Sequence, residues 1–171
     1  MFFYAALTFA IFIFQTAAAP VLFREGLYDL FFPLIFHMGL TLPLKKALLL
    51  TLASGFLSDS LSSAPFGICI SSHIWYLLLL RWGLGFLHVR NPLFLPPVLC
   101  LGILMQETLF AAAHLLSGTQ IFPPEIWKTA GMHILWAGLT APFLVTGISV
   151  LRRHWHTQIK KIFPSKKTQK Q

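Results

Sequence analysis

The chain alternates long apolar runs with short polar breaks. The breaks delimit candidate spans at Phe2 to Phe23, Leu27 to Leu44, Ala47 to Ser63, Ile68 to Val89, Leu93 to Leu116 and Ile126 to Leu151. At 1.5 Å per residue the first would measure about 33 Å as a helix, enough to cross a hydrocarbon layer. Arg24-Glu25-Gly26, Lys45-Lys46, Pro65 to Gly67, Arg90-Asn91-Pro92 and the segment Ser117 to Glu125, with Gly118 and Pro123-Pro124, supply the turns. Pro142 predicts a kink in the last span. The second and third spans are short and carry polar groups, so five crossings, with one of these re-entrant or interfacial, is the alternative count. The pattern predicts an all-α integral membrane protein, a bundle of about six transmembrane helices over residues 1–151. A disordered basic cytoplasmic tail is expected over 152–171.

Composition supports a bilayer as solvent. Hydrophobic residues are 56% of the chain and charged residues 11%, against about 25% charged in a soluble domain. The net charge of +8 is not a nucleic-acid signature. More than half of the basic residues are Arg152, Arg153, Lys160, Lys161, Lys166, Lys167 and Lys170, with no acid among them. No aromatic-interleaved RNA-binding pattern accompanies them. A cytoplasmic anchor that attracts anionic lipid heads is the simpler account. Threading six spans from that end leaves Lys45, Lys46, Arg81 and Arg90 on the same side as the tail. Only Arg24 and Lys128 fall outside, beside Glu25 and Glu125. Both termini are therefore expected in the cytoplasm, with Arg81 reaching the inner surface along its aliphatic stem.

Cys69 and Cys100 are far apart in apolar surroundings and read as small hydrophobic residues. Ala17-Ala18-Ala19 resembles a signal-peptide cleavage site, but Pro20 follows and no basic region precedes the apolar run, which favours a retained helix. Trp127 and Trp155 fit an interfacial belt.

Polar groups inside the spans are the candidate chemistry. An aspartate in hydrocarbon costs about 2.5–3.5 kcal/mol on insertion scales and needs a partner. Asp59 at the end of span three, His73, Glu107, His114 and His133 fall towards the outer half of the bundle and are expected to form an intramembrane polar cluster. Glu107 is expected to be partly buried beside a histidine or hydroxyl. Interhelical hydrogen bonding is the first reading and an outward pocket for a small molecule the second. A metal site is disfavoured because the histidines lack close i, i+4 pairing. No cofactor is expected. Walker A, nucleophile-elbow and HExxH signatures are missing from the sequence, which argues against an enzyme. On span three, Ser54, Ser58, Ser62 and Gly55, Asp59, Ser63 form adjacent rows of small residues. This stripe suits close helix contact, either within the bundle or with a partner's helix.

Tyr28-Asp29-Leu30 entering a short second span, then Gly55, Asp59 and Pro65-Phe66-Gly67, in a basic chain of about six spans, resembles the rod-shape-determining protein MreD family. Ser58 and Ser60 stand where that family is often more apolar. The resemblance implies a non-enzymatic inner-membrane scaffold of the bacterial cell-elongation machinery, which directs lateral peptidoglycan synthesis. It implies an MreC-type bitopic partner and other elongation-complex membrane proteins. It also implies a fold similar to the substrate-binding S-components of energy-coupling-factor transporters. Gly55, Ser58, Asp59, Ser62, Phe66 and Gly67 become the candidate partner-binding or packing residues. The alternative function is an S-component that binds a vitamin or metal ion for uptake.

Overall fold

The computed structural model describes residues 2–18, 29–61, 65–86, 95–116 and 125–162. Its regular elements there are all helical: α1 (Phe2–Ile13), continued by a π-helical turn (Phe14–Ala18), α2 (Phe31–Thr41), α3 (Leu44–Leu61), α4 (Ile68–Phe86), α5 (Leu95–Leu116) and α6 (Glu125–Ile162). Each predicted span thus has its helix; α2 starts only at Phe31, after a turn at Asp29-Leu30 inside the predicted second span, and there are two further shifts of boundary. Lys45 and Lys46, expected to close the second span, lie in the first turn of α3. Pro43 accounts for the join, since its carbonyl accepts the amides of Lys46 and Ala47 and opens α3.

The second shift corrects the expected disordered tail. α6 does not stop at Leu151 but runs on through Ile162, so the basic stretch from Arg152 begins as helix. Its Lys- and Arg-rich sequence lacks a helix breaker before Pro164. Residues 163–171 lie outside the described residues. The kink expected at Pro142 is present. The segments Gly131–Thr140 and Pro142–Trp155 meet at 42°, as a missing amide and a ring clash with the preceding turn require. Among the described residues no single helix is long and apolar enough to cross a membrane, although these two segments together meet that requirement.

α2 is the axis of the bundle. It packs against α1, α3, α4, α5 and α6, and every residue from Phe31 to Gly39 is buried. A helix apolar on all sides is stable only when enclosed, and here the other helices enclose it. Phe31, Phe32, Leu34, Ile35 and Met38 meet Tyr76 and Leu77 of α4, Leu99 and Ile103 of α5, and Ala47 and Leu50 of α3 in one continuous core. The outer surface is apolar too. Phe9, Leu135, Leu139, Phe143, Trp75 and Trp82 are all more than half exposed.

Helix directions alternate, and the polar contacts sort by end. Phe3 of α1 packs on Trp155 of α6, with ring centroids 5.8 Å apart. Arg152 lies 5.9 Å over the Tyr4 ring. Arg81 donates to the Leu42 carbonyl. Lys45 and Lys46 open α3 beside Leu42. This basic end also holds a small network. The Tyr4 hydroxyl lies 3.0 Å from His37 Nδ1 and 2.6 Å from Thr41 Oγ1, and His37 Nε2 lies 3.2 Å from Ser149 Oγ. The carboxylates Asp29, Asp59 and Glu107 belong to the other end.

α3 and α4 form the closest helix pair. A Cβ added to Gly55 would lie 2.6 Å from Ile70 Cα and 3.1 Å from Ile70 N, both backbone atoms of α4. Only a residue without a side chain permits this approach. Gly55→Ala is therefore expected to cost about 1–3 kcal/mol through overpacking. Gly138→Ala, where a Cβ meets nothing within 4 Å, should be neutral or stabilising by up to about 1 kcal/mol from helix propensity. Thermal midpoints of the two purified variants check this; a Gly55→Ala protein as stable as Gly138→Ala would refute the close approach.

Candidate functional site

The acidic end is organised around Asp29, in the turn ahead of α2. Its Oδ1 accepts the Phe31 amide at 2.9 Å, an Asx-type turn that launches the helix. The same oxygen accepts Gln15 Nε2 from the π-helical end of α1 at 3.2 Å. Its Oδ2 accepts Ser58 Oγ of α3 at 3.3 Å and His73 Nε2 of α4 at 3.0 Å. One carboxylate thus ties four helices. His73 is wholly buried, between Phe31 and Phe32 in edge contacts, so its partner cannot be water.

Asp59 does something different. Its Oδ2 accepts the amides of Gly67 at 3.0 Å and Ile70 at 3.1 Å, and its Oδ1 accepts that of Cys69 at 2.9 Å. These are amides of the first turn of α4 and its approach, which have no intrahelical acceptor. The carboxylate from the end of α3 caps α4 and also complements its dipole. Gly67 makes the geometry accessible: its φ of +104° lies where a side chain is strained. Phe66 is exposed and packs edge-on against Phe56 of α3 at 5.6 Å.

The expected polar cluster is therefore corrected in its membership. Asp59 binds backbone amides and does not join the histidines. His73 pairs with Asp29, which was not among the candidates. Glu107 has the histidine neighbour expected of it: His133 Nδ1 lies 2.9 Å from its Oε1. His114 is on α5, but its side chain lies outside the described residues, as does Ser62. Asp29 was legible as an aspartate two residues ahead of an apolar helix, a turn signal that hydropathy alone overlooks.

The candidate packing residues are resolved in the same way. Gly55 and Asp59 both serve the α3–α4 contact, and Ser54 is buried with its hydroxyl on the Thr51 carbonyl. Ser58 turns to Asp29. Among the described members of that set, Phe66 is the one with an exposed side chain. Among the described residues of the small-residue stripe, Ser54, Gly55 and Asp59 are buried inside the bundle.

Asp29, Gln15 and Ser58 share a half-open cavity of about 360 Å³ with Gln106, Glu107 and His133, and Leu61, Cys69, Ile103 and Phe110 complete its lining. Its wall draws on α1, α3, α4, α5, α6 and the turn before α2. Carboxylate, imidazole, carboxamide and hydroxyl groups face an apolar floor, an arrangement suited to holding a small polar solute. Among the described residues no group of three or more His, Cys, Asp and Glu side chains is placed to hold a metal ion.

Comparison with protein-family models, with curated proteins and with solved structures returned no match for this chain.

Proposed function

We propose that this chain is a multi-pass protein of the bacterial inner membrane and a non-enzymatic scaffold of the cell-elongation machinery, of the kind the MreD resemblance implies. The observation that carries the membrane part is the distribution of polarity. Large apolar side chains such as Phe9, Leu135, Leu139 and Phe143 stand exposed around the bundle, which water would penalise and lipid would not. Lys45, Lys46, Arg81, Arg152 and Arg153 gather at one end, the bias that places such an end in the cytoplasm. Anionic lipid heads would then meet the basic tail.

Support for the scaffold part is the motif itself. Gly55, Asp59 and Gly67 build a fixed α3–α4 hairpin: the glycine sets the approach, the aspartate caps, the second glycine turns the chain. A rigid hairpin suits a protein whose task is to hold partners in register. The expected result is stable co-purification with an MreC-type bitopic protein, and rounding or widening of rod-shaped cells on depletion. Normal cell shape together with no recovered partner would refute the scaffold. Accessibility labelling tests the membrane part separately, and a periplasmic carboxyl end would overturn the orientation.

A second reading draws on the 360 Å³ polar cavity: a small-molecule-binding subunit of an uptake transporter, similar to an S-component. A stoichiometric vitamin or metal ion in native mass spectra of the purified protein would favour it over the scaffold.

A further inference from the structure

We propose that the groove between α1, α2 and α6 holds one acyl chain of an anionic phospholipid whose phosphate is met by Arg152. The inference rests on the membrane part of the reading above and is independent of the scaffold part.

The groove is half-open, with a volume of about 250 Å³. Leu7 and Ile11 of α1, Pro33 of α2, and Leu144, Gly147 and Leu151 of α6 contribute to its lining. Among the described residues, that lining carries no polar side chain. It follows the stretch of α6 directly after the Pro142 bend, about 12 Å from Phe143 to Leu151 at 1.5 Å per residue. Gly147 helps to keep it open. A Cβ added there meets nothing within 4 Å, so the glycine leaves space that a larger residue would fill.

An apolar groove by itself does not select among lipids, because every lipid tail is as apolar as leucine. Selection comes from the head. On the basic side the groove ends at Leu7 and Leu151. One turn beyond Leu7 are Phe3 and Tyr4, and beyond Leu151 come Arg152 and Trp155. Trp155 packs on Phe3, and Arg152 lies over the Tyr4 ring. The guanidinium is thus held against α1 beside the mouth of the groove. The two ion pairs among the described residues are His73 with Asp29 and His133 with Glu107, so no carboxylate there occupies Arg152. Its planar fork of N–H donors suits two phosphate oxygens.

The charge balance of the whole chain points the same way. Its acids are Glu25, Asp29, Asp59, Glu107 and Glu125. Asp29, Asp59 and Glu107 lie at the acidic end, and the threading of the spans puts Glu25 and Glu125 on that side, with Arg24 and Lys128. Lys45, Lys46, Arg81 and Arg153 share the basic end with Arg152. Asp29 adjoins the groove only through Leu30, at its acidic end. Its carboxylate is turned instead to Phe31, Gln15, Ser58 and His73. An anionic head at the mouth therefore meets cations and no carboxylate. The ammonium of a zwitterionic head would meet like charge.

The test is native mass spectrometry of the full chain in nonionic detergent, incubated with equimolar phosphatidylglycerol and phosphatidylcholine of identical acyl chains. The first bound lipid is expected to be phosphatidylglycerol by about fivefold, the factor for one basic residue at an anionic lipid surface. Arg152→Gln should remove most of that preference. Gly147→Leu should lose the first bound lipid of either kind. Gly138→Leu should keep it, because a Cβ there also meets nothing within 4 Å and the residue lies outside the groove. Lys160→Gln/Lys161→Gln should keep it as well. Equal binding of the two lipids by the parent overturns the proposal, as does a Gly147→Leu protein that retains lipid like Gly138→Leu. Loss that follows the lysine pair would show attraction to the tail alone, and also overturns it. A dimer that Gly147→Leu splits into monomers would assign the groove to a second copy, with the same consequence. The parent competition and the glycine pair decide the matter even if Arg152→Gln fails to fold. Membrane extraction separates this test from the reading it rests on. A chain released from membranes only by detergent, yet without lipid preference, keeps the membrane reading and loses the site. A chain released by alkaline washing loses the membrane reading itself.

Discussion

Asp29→Leu is expected to destabilise the bundle by about 3–5 kcal/mol, because four hydrogen-bond donors lose their shared acceptor and a buried donor left unsatisfied costs about 1–3 kcal/mol. The substitution leaves His73 enclosed by Phe31 and Phe32 without its acceptor. It also releases the Phe31 amide, Gln15 and Ser58. The loss should therefore be cooperative across α1, α2, α3 and α4 and not confined to one helix end. The double variant Asp29→Leu/His73→Phe should recover part of the loss, because replacing both partners by apolar groups removes the stranded polar atom. Denaturant unfolding of the purified protein in mixed micelles measures both. A single variant within about 1 kcal/mol of the parent, the ordinary range of an exposed pair, would show that this carboxylate does not organise the acidic end.

Asp59→Leu should cost about 3 kcal/mol, since Gly67, Cys69 and Ile70 each lose the acceptor of a backbone amide and an unsatisfied buried donor costs about 1–3 kcal/mol, partly relieved by water at a helix end. Asp59→Asn keeps a carbonyl oxygen and should lose about half as much. Glu125→Leu, at the first residue of α6, is the control and should stay below about 1 kcal/mol. Because Asp59 acts inside the chain, recovery of the proposed MreC-type partner should fall only in step with the amount of folded protein. An Asp59→Leu protein that keeps its thermal midpoint yet loses its partner would instead make Asp59 a contact residue and refute the capping role.

The spans were legible because hydropathy and charge punctuation are local properties. Pro142 announced its bend for the same reason: the missing amide belongs to one residue. The length of α6 was misjudged because a run of lysines and arginines is read as a solvated tail, whereas straight-chain basic residues are good helix formers and continue a helix that has no breaker. The polar cluster was half legible. Glu107 and His133 lie on different helices at matching depth, and depth follows from counting along the spans. Which way each helix turns about its axis does not. That rotation sends His73 to Asp29 and takes Asp59 to the amides of α4.

The order of apolar and charged residues by itself determined a helical chain of alternating direction, with most of its basic residues at one end and Asp59 and Glu107 towards the other, because each of these depends only on position along the chain. Tertiary structure alone decided that α2 is the enclosed axis, that Gly55 meets the backbone of α4, and that Asp29, Glu107 and His133 border one cavity. Those facts depend on how helices rotate and approach one another, and such contacts join residues from 14 to 44 positions apart, beyond the reach of any local pattern.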